Sequence, residues 1–153
     1  MFLCTSVLFA GSDDRIGTAG GQELRIPVGS RMSALGGAGV AEAIGAEAIF
    51  WNPAGVAYQP GTQVMFTNLQ HFADIDVNYF AATTAIEDFG SLGFSAKVVS
   101  FGDIIKTTVN APMGTGEIIS PTFSVIGLTY SRQFTDRVAF GATGMLISEK
   151  VEQ

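Results

Sequence analysis

Charge is scarce in this chain. Asp, Glu, Lys and Arg supply 14% of 153 residues, about half the usual share. The eight basic residues are scattered and the formal net charge is −6. Phosphates need a Lys/Arg face to neutralise them, so nucleic acid is excluded as a partner. Cysteine is nearly absent too. Cys4 stands alone and can form neither an internal disulfide nor a metal cluster. The single histidine, His71, lies between Gln70 and Phe72 and fits no zinc pattern without cysteines nearby. A triad through His71 with Asp74 or Asp76 would lack a nucleophile elbow. No apolar run approaches the ~20 residues of a membrane helix, so any crossing of a membrane falls to strands.

Other chemical motifs are missing as well. Gly36-Gly37-Ala38-Gly39 invites a dinucleotide reading, but Glu42 stands where the fingerprint needs its last glycine, and Pro27 interrupts the preceding segment. Close packing and turns explain these glycines better. No Gly-Lys-Ser/Thr tripeptide exists for a phosphate loop. The acidic pairs Asp13/Asp14 and Glu87/Asp88 sit in a tail and a turn, where solvated turn chemistry accounts for them. The expectation is no enzyme, no metal and no cofactor.

Glycine and phenylalanine are plentiful, at 19 and 12 residues. With so little charge, this composition suits a surface facing lipid better than one facing water. Three segments differ in character. Residues 1–10 contain an apolar stretch, Phe2 to Phe9, like that of a secretory signal, with Ala10 as the small residue before a cut. Leu8 is large for its place and a basic n-region is missing, so the expectation is a signal-peptide remnant, with an apolar N-terminal strand as the alternative. Residues 11–60 read as a segment packed inside something else, because small residues let backbones approach closely. Within it, residues 24–28 read as a short edge strand holding Pro27. Residues 29–43 are too glycine-rich for a strong helix. One helical turn over residues 46–51 is halted by Asn52-Pro53.

Residues 61–153 alternate with period two, the pattern of strands with one apolar and one polar or small face. Ile75, Val77 and Tyr79 oppose Asp76 and Asn78; Leu92, Phe94, Ala96, Val98 and Ile104 oppose Gly93, Ser95, Lys97 and Asp103. Ile126, Leu128 and Tyr130 oppose Gly127, Thr129 and Ser131; Val138, Phe140, Ala142 and Leu146 oppose Ala139, Gly141 and Thr143. A first strand over 62–69 is less clean, because Met65 breaks its polar side. Links at 87–91 and 135–137 are tight, whereas 107–121 is long. Short turns on one side and longer loops on the other are what transmembrane barrels show. Phe89, Phe134 and Phe140 fall near the short turns, and Phe72, Phe101 and Phe123 toward the loops, as two interfacial belts would. Phe101 lies on the polar parity, and Arg132 lies on the apolar parity close to a strand end where it can snorkel. The fold class is therefore all-β: an antiparallel meander of about five strands, part of an outer-membrane β-barrel, preceded by an N-terminal plug with short helical turns. A soluble β-rich binding module is the rival reading of the same alternation.

Trp51-Asn52-Pro53-Ala54-Gly55 is the most distinctive pentapeptide. A buried Asn52 amide would need partners, which suits a plug bonded to a barrel wall, and a packing role is preferred to a gating one. Together with the stretch from Gly17 to Gly29 and the run from Ser30 to Ala41 with Gly36, Gly37 and Gly39, it resembles the PorV/PorQ family of outer-membrane proteins, within the FadL-like barrel superfamily. The resemblance implies that these stretches form a plug, with Asn52, Pro53 and Ala54 as the shared triplet. It also implies a barrel of about fourteen strands, so this chain is expected to be truncated, carrying only the first strands. PorV-like proteins are accessory to type IX secretion, meeting secretion components and cargo C-terminal domains at the outer membrane of a Gram-negative-type bacterium. FadL-like relatives instead pass long-chain fatty acids or other hydrophobic small molecules. Membrane lipid is the partner common to both.

Overall fold

From Thr62 onward the chain folds into one antiparallel sheet, in a computed structural model that describes residues 21–71, 74–107 and 112–152. The strands are β1 (Thr62–Gln70), β2 (Asp76–Ile86), β3 (Gly90–Ser100), β4 (Ile104–Ile105), β5 (Ile118–Thr135) and β6 (Val138–Glu152). β1, β2, β3, β5 and β6 form a meander in sequence order, and β4 pairs only with the start of β5. The sheet is open among the described residues, with β1 and β6 as its edges. The tight links are as expected: Asp88 and Gly90 take positive φ in the β2–β3 turn, and two residues join β5 to β6. The long link differs. Rather than one strand running from Leu92 to Ile104, β3 ends at Ser100, and the two-residue β4 starts a hairpin closed by Lys106 Nζ to Glu117 Oε2 at 2.8 Å.

Register places the side chains in rows across the sheet. Val64, Ala82, Phe94, Leu128 and Gly144 form one row; Phe66, Phe80, Ala96, Ile126 and Leu146 form the next. These apolar rows point to solvent: Phe66 is 69% exposed, Leu128 67% and Leu146 78%. The opposite face carries Thr83, Ser91, Ser95, Lys97, Thr129 and Ser131, and every one of them is buried. Water-soluble sheets bury the apolar face and expose the polar one. Here the assignment is inverted.

The inversion is not uniform. Val77 and Tyr79, read with Ile75 as an apolar face, lie on the buried side, as do Val99, Phe123 and Val125. Phe123 is buried and Phe101 packs against the core, so neither belongs to an interfacial belt on the loop side. Phe72 lies outside the described residues. At the turn end Phe89, Phe134 and Phe140 are exposed as expected, and Tyr130 donates to the Phe89 carbonyl at 2.7 Å with the rings edge to face. Arg132 is exposed in the same row as Phe140.

What covers the inner face is residues 21–60. A five-residue helix, α1 (Ser30–Ala34), a four-residue helix, α2 (Ala48–Trp51), and four 3-10 turns make it up. The helical turn before Asn52-Pro53 is as expected. No strand forms over 24–28; a 3-10 turn spans Gln22–Arg25 and extended chain follows. The core lies between this segment and the sheet: Val28, Met32, Ile49 and Val56 from the segment, Val77, Tyr79, Val99 and Phe123 from the strands. Residues 1–10, read as a signal remnant, lie outside the described residues.

Candidate functional site

The junction between the N-terminal segment and the sheet gathers most of the residues singled out by sequence. α1 ends in a Schellman motif: Gly36 N–H donates to Ser33 O at 3.0 Å and Gly37 N–H to Met32 O at 3.0 Å. Gly36, at φ 60, fills the left-handed position that this cap needs. A side chain on Gly37 would meet the Trp51 ring at 3.1 Å, and one on Gly39 would meet the Met32 sulfur at 2.8 Å. The glycine run is therefore a turn and a packing surface for Trp51. The indole is fixed on its other side by Nε1–H donating to Val28 O at 3.0 Å and by the Phe50 ring edge at 5.1 Å.

Pro53, Ala54 and Gly55 dock the segment on the sheet. Gly141 of β6 has no room for a side chain, since a Cβ there would fall on the Pro53–Ala54 peptide. Gly55 is equally tight against the Ala43 backbone carbonyl. Ser131 Oγ, fully buried, lies 3.2 Å from Ala54 O and 3.1 Å from Phe140 O, so its hydroxyl serves both elements. Ile49 sits over Gly93, whose missing side chain makes its place. Gln63 Oε1 accepts the Ala46 N–H at 3.2 Å. Asn52 departs from expectation. Its side chain is half-buried and lines a cleft with Ala54, Tyr58 and Arg137; among the described residues only its backbone is hydrogen-bonded, to Ala48 and Gly55.

The residue that sequence reasoning passed over is Lys97. It was visible only as a polar-parity member of β3, yet it is 4% exposed and reaches into the N-terminal segment. Its ammonium donates to Glu23 O at 3.1 Å and Ile26 O at 2.6 Å, and lies 5.0 Å from the Phe50 ring centroid. The signal that was present is a lone basic side chain at mid-strand among Gly, Ser and Thr. Beside it is a cavity of about 220 Å³ walled by Leu24, Ile49, Phe50, Val125 and Met145, with Tyr79 and Ser95 as further polar groups.

No cluster of His, Cys, Asp or Glu among the described residues is arranged to hold a metal ion. His71 is exposed, in the link after β1, where its N–H donates to Ile75 O at 2.7 Å. Glu87 and Asp88 lie at the β2–β3 turn. What the arrangement does chemically is hold a small-residue segment against a polar sheet face by hydrogen bonds and close packing. Comparison with family models, characterised proteins and solved structures finds no match to this chain.

Proposed function

We infer that the meander is wall and residues 21–60 are luminal plug of an outer-membrane β-barrel of PorV/PorQ type, accessory to type IX secretion. The observation that carries the membrane placement is the inverted sheet. Large apolar side chains on the outward rows, Val64, Phe66, Phe94, Leu128, Phe140 and Leu146 among them, are each more than a third exposed. Together they present on the order of 1,000 Å² of apolar surface, beyond the roughly 300–600 Å² of the largest patch on a typical soluble monomer. At about 25 cal/mol per Å², lipid contact over that area is worth on the order of 25 kcal/mol. Lipid is therefore the better solvent for this face.

The dimensions agree with a bilayer. The outward row of Asn68 and Asn78, bonded side chain to side chain at 2.8 Å, bounds the apolar band toward the loops, and the β2–β3 turn bounds it at the other end. From Asn78 to Glu87 is about nine residue steps, roughly 30 Å along the strand. At the usual ~40° tilt that is about 23 Å along a barrel axis, near the ~25 Å apolar band of such barrels. No helix among the described residues is long and apolar enough to cross a membrane.

The secretion assignment rests on the resemblance of the plug motifs, Gly36 to Gly39 and Trp51 to Gly55. The apolar cavity beside Lys97 favours the second reading, a FadL-like path for hydrophobic molecules. One experiment separates them. Outer membranes of a secreting host are solubilised in mild detergent and the tagged protein is isolated. Co-isolation of secretion components with cargo C-terminal domains is expected; saturable binding of a long-chain fatty acid without them would move the assignment to transport. Recovery as a monodisperse protein without detergent would overturn both.

A further inference from the structure

We propose that residues 22–27 are a hinged strap, latched over the cavity by the Lys97 ammonium, and that breaking this latch opens the cavity without undocking the rest of the plug. The strap follows Gly21, which is in left-handed backbone at φ 70, and among the described residues it pairs with no strand. Few-residue segments that absorb φ/ψ change are where hinges form. Beyond it Val28 already belongs to the plug body, through Trp51. Among the described residues, the hydrogen bonds that tie the strap to the sheet are those from Lys97 to Glu23 O and Ile26 O.

A latch must be able to let go, and this one has reasons to. Among the described residues no carboxylate stands within ion-pair distance of the Lys97 nitrogen. A desolvated ammonium held only by carbonyls and a ring face is costly to keep dry. Leu24 of the strap forms one wall of the cavity, so lifting the strap uncovers it. Inside, the Tyr79 hydroxyl, on a residue 3% exposed, makes no hydrogen bond of sound geometry although Ser95 is beside it. Opening hydrates both that hydroxyl and the ammonium, which offsets the two bonds lost. Leu24 and Ile26 pack against the core and keep the strap closed while the latch holds.

The test follows thiol reactivity in the whole chain folded in detergent micelles, in a Cys4→Ser background. Single cysteines are placed in the strap (Leu24→Cys) or the plug body (Val56→Cys), and labelling by a water-soluble maleimide is timed. With Lys97→Met, which keeps chain length and removes the charge, Leu24→Cys is expected to label about tenfold faster or more, because two charge-assisted bonds are gone. Val56→Cys is expected to keep its slow rate, and Lys97→Arg to restore slow labelling at Leu24→Cys. An unchanged Leu24→Cys rate in Lys97→Met would overturn the proposal. So would equal acceleration at Val56→Cys, or fast labelling of Leu24→Cys with Lys97 intact.

Discussion

Gly141→Leu is expected to push the N-terminal segment, residues 21–60, off the sheet while leaving the strands paired. Any side chain at this position must enter the space held by the Pro53–Ala54 peptide, which is backbone and cannot rotate away. Overpacking of this kind costs about 1–3 kcal/mol even where side chains can adjust, and here the Ser131 contact to Ala54 O would also be lost. Trp51 is the only tryptophan of the chain, so its emission reports the plug directly. A red shift and rapid proteolysis within residues 21–60 are expected, with the β-sheet circular dichroism retained. Gly144→Leu is the matched control. It lies three residues away on the same strand with open space at its Cβ, and should leave Trp51 emission unchanged.

Leu128→Arg separates lipid from water as the solvent of the outward face. Leu128 lies in the middle of the apolar band, between the turn end and the Asn68–Asn78 row, and is 67% exposed. Facing water, such a change belongs to surface substitutions that move stability within about 0.5 kcal/mol. Facing lipid near the bilayer midplane, an arginine costs about 2–4 kcal/mol. Urea titration of the protein folded into phospholipid vesicles should therefore show a clearly lowered midpoint. Asn68→Arg, at the polar border of the band, should fall within about 1 kcal/mol of the parent, the value for positions near the interface.

The strand pattern was legible because alternation is local: Leu92, Phe94 and Val98 against Gly93, Ser95 and Lys97 can be read without knowing any neighbour. The outward direction of the apolar parity followed from composition, since so little charge leaves the chain poorly equipped for water. The reversal at Val77 and Tyr79 was not legible. Their side of the sheet turns apolar where Ile49 and Phe50 of the N-terminal segment pack with it, and that contact spans distant sequence. The same burial removed Phe101 and Phe123 from the expected belt. Residues 24–28 had strand character but no partner strand, so the chain there is held by the Lys97 side chain instead of a ladder. Trp51 and the glycine run were singled out as parts of one motif block, and in the structure Gly37 packs against the Trp51 ring. Asn52 was credited with wall contacts through its side chain, and those contacts are made by Ala54 and Ser131 instead.

The central claim is that the apolar rows face lipid and the polar rows face a plug-filled lumen. Nitroxide labels placed singly at Phe94, Leu128 and Leu146, and at Thr143 and Met145 on the other face, test it in phospholipid vesicles. The outward labels should collide readily with oxygen and be shielded from a water-soluble nickel complex; the inward labels should not share that preference. Labels at Phe94, Leu128 and Leu146 as open to nickel as one in the Glu87 turn would contradict the account, because the apolar face would then meet water.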